Sequence, residues 1–248
     1  MLPRGGGRLE RGARVIKPGE EWGRPTTANA DVECHGNDQA LAALITADSS
    51  PPLVRWSPVD SDFARSVGLH PNHTMSRTGG GGIELPVDAL AFVLASFPGT
   101  SDGRVTHVWG INAAVLGVAP TKLSRFHRQH PVTVVVDGRT VFTGNATTVV
   151  IANGQYLDGC DLVPRGHPGD GRVEIQVYAL TPGERTPMRR RLPSGTHLPH
   201  PRITTTSGRT IEVTTGDRAW PLMVDGEPGT SVHRLGAAVR SPAVRLLI

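Results

Sequence analysis

The chain has 248 residues, and at about 150 residues per domain that is room for one large domain or two small lobes. Apolar residues make up 38% and charged residues 19%, enough for a sizeable core and too much for wholesale disorder, while 30 glycines and 21 prolines favour many turns over long helices. The net charge of +4 rests almost wholly on arginine, with only Lys17 and Lys122 as lysines, and suits phosphates, an anionic membrane surface or nucleic acid without choosing among them.

Met1 to Arg14, rich in glycine and arginine without a period, reads as a mobile basic arm outside the fold. A short strand at Asp31 to Cys34 runs through His35-Gly36-Asn37-Asp38 into Gln39 to Ala47, whose composition and spacing predict a helix. Leu53 to Trp56 predicts a second strand, ended by Ser57-Pro58, and Val59 to Leu69 enters a helix capped by Ser61 or Asp60. Two βα units make a small α/β lobe. His70 to Gly82 reads as a loop and Pro86 to Phe97 as a helix with proline near its start. From there strand signals follow one another: Val105 to Trp109, Val132 to Val136, Thr147 to Ala152, Arg172 to Leu180, Arg202 to Thr206, Thr210 to Thr214, Leu222 to Val224 and Val244 to Ile248. Asp137-Gly138, Asn153-Gly154, Asp158-Gly159, Asp170-Gly171 and Asp225-Gly226 punctuate them with residues that tolerate positive φ. The expected organisation is an arm over 1–14, a truncated α/β lobe over 15–100 and an antiparallel β domain over 101–248, with Val244 to Ile248 or a neighbouring segment returning to the first lobe.

Several patterns exclude functions. Aromatic residues are 4% of the chain and are not interleaved with basic ones, so no nucleic-acid partner is expected. The best apolar stretch, Val87 to Phe97, is interrupted by Asp88 and falls short of the ~20 residues of a membrane-spanning helix. Cys34 and Cys160 have no CxxC spacing and no apolar leader is read before them, a pattern that fits a reducing cytosol better than a secreted disulfide framework, so a cytoplasmic protein is expected. His70-Pro71-Asn72-His73 and His197-Leu198-Pro199-His200 read as solvated loops rather than a zinc site. Gly79 to Gly82 reads as a linker, Arg189-Arg190-Arg191 as a solvated turn, and no Gly-x-Ser-x-Gly elbow supports a serine hydrolase.

The order and spacing of the turns over Val132 to Leu180 carry a resemblance. VVVDGRTVFTG, VVIANGQYLDGCDLVP and GHPGDGRVEIQVYAL, followed by Asp225-Gly226-Glu227-Pro228 after a short apolar strand, are similar to the bacterial diacylglycerol kinase and lipid kinase family, relatives of the sphingosine and NAD kinases. Ser61-Asp62-Phe63-Ala64-Arg65 resembles the family's Asn-Asp-Phe-Ala-Arg helix start, and the likeness extends over about residues 30 to 248. It implies a two-lobed α/β plus all-β fold with a β-sandwich lobe and a site in the cleft between lobes. It further implies ATP-dependent phosphorylation of a lipid hydroxyl, with Glu227 as general base, Gly36, Asn37, Asp38, Ser61 and Asp62 near ATP phosphate, and a structural Mg2+ at Asp170 with the carbonyls of His167 and Arg172. The implied partner is a membrane lipid or lipid-like molecule, met peripherally at the inner membrane surface.

The chain departs from that family where phosphate is held. The family's Gly-Gly-Asp-Gly-Thr loop corresponds to Gly36-Asn37-Asp38-Gln39-Ala40, so two glycines and the threonine are replaced, and Pro58-Val59-Asp60 stands in place of a second Gly-Thr turn. Added Cβ atoms narrow the approach to backbone N–H groups that would otherwise cradle an anion. Two readings therefore stay open: a phosphotransferase, or a catalytically impaired pseudokinase acting as a lipid- or protein-binding module with ATP binding weak or absent.

Overall fold

Short runs of β-branched and apolar residues between Asp-Gly turns bury one face at a time, and the chain answers with strands. The computed structural model describes residues 22–46, 50–69, 82–95 and 106–248. In chain order these form β1 (Arg24–Thr26), β2 (Val32–Gly36), α1 (Asp38–Ala42), β3 (Leu53–Pro58), α2 (Asp62–Ser66), β4 (Gly82–Ala95), β5 (Thr106–Gly110), β6 (Ala113–Gly117) and β7 (His130–Val136). There follow β8 (Arg139–Ala146), β9 (Thr148–Ala152), β10 (Tyr156–Leu157), β11 (Cys160–Asp161), β12 (Val173–Tyr178), α3 (Pro182–Arg191), β13 (Ile203–Gly208), β14 (Thr210–Thr215), β15 (Trp220–Val224), β16 (Glu227–Val232) and β17 (Arg234–Leu247). The basic arm, the end of the first predicted helix at Ala47, His70, His73 and most of the glycine run lie outside the described residues.

Two curled sheets face each other. One runs β1-β4-β17-β14-β7-β8, with β5 on β4 and the β3–β2 pair on β17; the other runs β13-β12-β9-β6-β15-β16. Leu90, Phe92, Val134, Ile211, Val213 and Leu235 of the first sheet meet Leu116, Ile151, Ile175, Val177, Trp220 and Leu222 of the second in one core, the interdigitation of inner faces that defines a sandwich. A second core joins α1, α2 and β3 to the far ends of β4 and β17 through Leu41, Trp56, Phe63, Val87, Val244 and Leu246. The outer face of the second sheet is covered by Leu162, Val163, Met188 and Leu192. The fold is thus mostly β, as expected. No helix among the described residues is long and apolar enough to cross a membrane.

The expected return of Val244 to Ile248 to the first lobe takes place: β17 pairs in parallel with β3, Arg245 opposite Leu53 and Leu246 opposite Val54. β2 also pairs in parallel with β3, so the first expected βα unit and the strand of the second join as a βαβ unit.

The segment Pro86 to Phe97 is a correction. The sequence predicts a helix, but its described part belongs to β4, antiparallel to β17 over the length of both. Leu85, Val87 and Ala89 face the second core, whereas Leu90, Phe92 and Leu94 face the sandwich core. The strand thus changes its inward phase between Ala89 and Leu90, near a register shift opposite Arg240 and Val244. Two alternating runs joined out of phase place apolar residues at both strand and helix intervals, which hides the period of two.

Candidate functional site

Two short helix starts meet at one buried carboxylate. Gly36 ends β2 at φ +146°, where a Cβ would stand 2.8 Å from that of Ala40; only glycine fits this left-handed approach. Asn37 caps α1, its Oδ1 accepting the Ala40 N–H at 3.1 Å, and Ser61 caps α2, its Oγ accepting the Ala64 N–H at 2.8 Å. The Ser61 hydroxyl donates to the Asp38 carboxylate, which also accepts the Phe63 N–H at 3.3 Å and the Asn112 Nδ2–H at 3.1 Å. Burial pushes Asp38 up to about 7; the Ser61 bond pulls it down and the negative charge of Asp225 pushes it up again.

Asn112 ties this corner to the sandwich. Its Nδ2 donates also to the Tyr156 carbonyl at 3.1 Å. Its own N–H and those of Ile111 and Ala113 converge on the Asp225 carboxylate at 2.9, 2.7 and 2.9 Å. Asp225 sits at φ +48° in the turn between β15 and β16, and burial raises it to about 6 against the pull of those three donors. The turn therefore separates its acids, with Asp225 directed inward and Glu227 exposed on β16.

Asp62 serves a different contact. Its carboxylate accepts the Gly159 N–H at 3.2 Å and lies 3.9 Å from Arg65, whose guanidinium stands 4.1 Å over the Tyr156 ring. α2 is thereby clamped to the hairpin of β10 and β11. A cavity of about 630 Å3 opens beside it, lined by Pro58, Val59, Asp60, Ser61, Asp62 and Arg65.

The remaining predicted residues lie elsewhere. Asp170 Oδ1 accepts the Arg172 N–H at 2.9 Å, His167 Nδ1 accepts the Gly169 N–H at 3.2 Å, and the Arg172 guanidinium donates to the Ser207 carbonyl at 2.6 Å. Beside them Asp88, buried in β4, accepts the Gly171 N–H at 2.6 Å and is raised to about 7 by burial, with Asp170 adding to the rise. Among the described residues no three His, Cys, Asp or Glu side chains converge as a metal cluster. The structure thus brings Gly36, Asn37, Asp38, Ser61 and Asp62 together, reaches Glu227 only through Asp225 and Asn112, and keeps His167, Asp170 and Arg172 in their own turn.

Asn112, Asp88, Asn153 and the inward side chain of Asp225 escaped the sequence reading. Asn153 Nδ2 donates to the Asp88 and Ile111 carbonyls at 2.7 and 2.9 Å, so it fastens β4 to the loop that bears Asn112. The available signal was a polar residue inside an apolar run: Asn112 within Val108 to Val118, and Asp88 within Val87 to Phe97.

Gly154 guards the same network. A Cβ there would stand 2.2 Å from Asn112 Oδ1 and 2.9 Å from Ser66 Oγ. Gly154→Ala is expected to push Asn112 off Asp38 and to cost about 1–3 kcal/mol by overpacking, read as a lower urea midpoint; an unchanged midpoint would show that the site has slack.

Residues 108–248 match the family model described as the YegS C-terminal NAD kinase beta sandwich-like domain. The chain belongs to this family. No curated protein matches the chain. Among solved structures, a protein assigned as a diacylglycerol kinase from Bacillus anthracis str. Sterne superposes with a TM-score of 0.65 at 15% identity, over 88% of this chain and 78% of that one. A second diacylglycerol kinase structure from that organism gives 0.61 at 17%, over 88% and 76%. A yeast NADH kinase complexed with NADH gives 0.53 at 13%, over 89% and 62%. At these identities the likeness is one of fold, and it shows a YegS-type, lipid- and NAD-kinase-related architecture with a β-sandwich.

The α1 and α2 starts of this YegS-type chain are a poor fit for a triphosphate. The Ala40 N–H is taken by Asn37, the Ala64 N–H by Ser61 and the Phe63 N–H by Asp38. One N–H of the α1 start and two of the α2 start are thus satisfied internally, and Asp60 and Asp62 line the adjacent cavity with like charge.

Proposed function

We propose that the chain is a lipid-kinase-like binding protein in which phosphoryl transfer is impaired, and that it holds a membrane lipid or lipid-like hydroxyl compound peripherally at the cytoplasmic membrane surface. The observation that carries this reading is the self-capped α1 turn, where Asn37 Oδ1 occupies the Ala40 N–H. A helix start whose Ala40 N–H is already paired and whose glycines are replaced by Asn37 and Gln39 offers a phosphate fewer donors and less open space than a glycine turn does. Titration calorimetry of the full chain with ATP, with and without Mg2+, tests it. Binding absent or only at millimolar nucleotide is expected; Mg2+-dependent binding near micromolar, about −8 kcal/mol, would overturn it.

Asp38 favours a second reading, an active lipid kinase. Raised to about 7, it stands where an acid near neutrality moves protons well, while Glu227 on the adjoining turn is exposed to an incoming hydroxyl. If phosphate transfer from ATP to diacylglycerol in mixed micelles is found, Glu227→Gln is expected to slow it about 10²–10⁴-fold. Full activity in that variant would remove Glu227 from the chemistry.

The Asp170 turn suits a hard cation in donor type, since a carboxylate with the His167 and Arg172 carbonyls is an all-oxygen set. Such an ion would stabilise the turn against β4 and take no part in proton transfer. Mg2+ is expected to raise the melting temperature of the native chain and to do so less in Asp170→Asn; a melting temperature indifferent to Mg2+ in both would dispose of the site.

A further inference from the structure

At the far end of the strands that carry the candidate site, a second cavity has a surplus of hydrogen-bond donors. β6 leaves the site at Ala113 and reaches this cavity at Gly117, about 13 Å away at ~3.3 Å per residue. Its volume is about 380 Å3, and Phe126, His127, Arg128, His130, Arg218 and Trp220 line it. Trp220 is 2% exposed, and its indole N–H has no acceptor among the described residues. A buried N–H is nearly always paired, because leaving it dry forfeits its bond to water without replacement.

The rest of the cavity lining carries cationic side chains. Arg128 and Arg218 are exposed, and among the described residues neither has an acidic partner in an ion pair. Arg218 Nη1 lies 3.3 Å from His130 Nε2, so that nitrogen acts as the acceptor and the His130 proton rests on Nδ1. The Ser124 N–H donates to His127 Nδ1 at 3.0 Å, which leaves the His127 N–H on Nε2. Thr215 Oγ1 donates to the Arg218 carbonyl at 2.8 Å and holds the turn that presents this arginine. Phe126, 77% exposed, adds an apolar ring at the rim, with the Arg125 guanidinium 4.8 Å over its face.

We propose that this cavity binds a phosphate monoester, with the Trp220 indole N–H as the buried donor and Arg128 and Arg218 as the charge clamp. A tetrahedral dianion has enough acceptor oxygens to engage an indole and two guanidinium groups together, and arginine forks suit phosphate oxygens better than point charges do. The ester can be a phosphomonoester lipid headgroup, with Phe126 against its apolar part, or a soluble phosphate. This site shares no residue with the α1 turn and stands or falls independently of the proposed function.

The test is a proton–nitrogen correlation spectrum of the full chain, in which the 4 tryptophans give separate indole signals and Trp220→Phe identifies that of Trp220. Inorganic phosphate or glycerol 3-phosphate at constant ionic strength is expected to move that signal saturably, and Arg128→Gln or Arg218→Gln to weaken the apparent Kd about tenfold each. Both arginines are exposed, so calorimetry on these variants reads the same loss should Trp220→Phe fail to fold. Saturation by phosphatidate vesicles, at phosphate concentrations where the free anion and phosphatidylcholine vesicles have no effect, assigns the lipid source; saturation by the free esters assigns the soluble one. A Trp220 signal unmoved by either, a shift that chloride reproduces, or arginine variants that bind as well as the native chain would overturn the proposal.

Discussion

Asp225→Ala is expected to lower the free energy of unfolding by about 3–5 kcal/mol, since each buried donor left without a partner costs ~1–3 kcal/mol. Three backbone N–H groups, those of Ile111, Asn112 and Ala113, end on this one carboxylate at 2.7–2.9 Å. The same loop positions Asn112 against Asp38, so the loss is expected to loosen the candidate site as well as the hairpin. Asp225→Asn keeps one acceptor oxygen and tolerates φ +48°, and an intermediate loss follows. Glu227→Ala, on an exposed position of the same turn, is expected to stay within about 0.5 kcal/mol. Urea unfolding of the set decides; a loss below about 1 kcal/mol in Asp225→Ala would mean that water or a rearranged loop satisfies the three donors.

The second large effect is a stability that falls as the pH rises from about 4 to 7. Asp38 and Asp88 are raised to about 7 and Asp225 to about 6 by burial, from an ordinary value of 3.8. Between the ordinary and raised values the folded chain holds protons that the unfolded chain has released. Each such proton lowers stability by up to about 1.4 kcal/mol per pH unit as the pH rises. The contribution is complete below about pH 4 and is lost as the pH passes the folded values near 6 and 7. Asp137 and Glu184, lowered by hydrogen bonds from Thr210 and Thr181 respectively, act oppositely below the ordinary carboxylate range, and His197, lowered to about 4 by burial, offsets one of the three carboxyls between about pH 4 and 6.5. Asp38→Asn, a neutral group of the same shape, is expected to flatten the slope and to raise the melting temperature at pH 8. Thermal melts from pH 4 to pH 8 check this; a melting temperature that climbs across the interval in the native chain would show that these carboxyls are ionised as easily folded as unfolded.

Much of this protein was legible in order along the chain. Asp137-Gly138, Asp158-Gly159 and Asp225-Gly226 take positive φ because an Asp followed by Gly is the local chemistry that a tight turn demands. Between such turns, alternating runs such as Val132 to Val136 and Thr210 to Thr214 became strands with only a residue or two of error. Ser61 proved to be the cap of α2, since a helix start is decided by neighbours within four residues. The order of those turns was enough to place the chain among lipid-kinase-like sandwiches.

Tertiary structure decided the rest. Pro86 to Ala95 became a strand because β17 offered a long partner and because two separate cores each required one phase of its side chains. Nothing within the segment itself carries that demand. Asn112 and Asp88 were visible only as polar interruptions of apolar runs; their partners, Asp38 for one and Gly171 for the other, lie 74 and 83 residues away. The closure of the α1 turn was half legible, since Asn37 and Ala40 could be read as lost glycine and threonine, but only the folded backbone shows Asn37 Oδ1 on the Ala40 N–H. Local propensity acts over a few bonds and is written in the residue order. A buried carboxylate's protonation, a strand's phase and the pairing of a helix-start N–H depend on what packing brings alongside, and that is settled only when the sheets close.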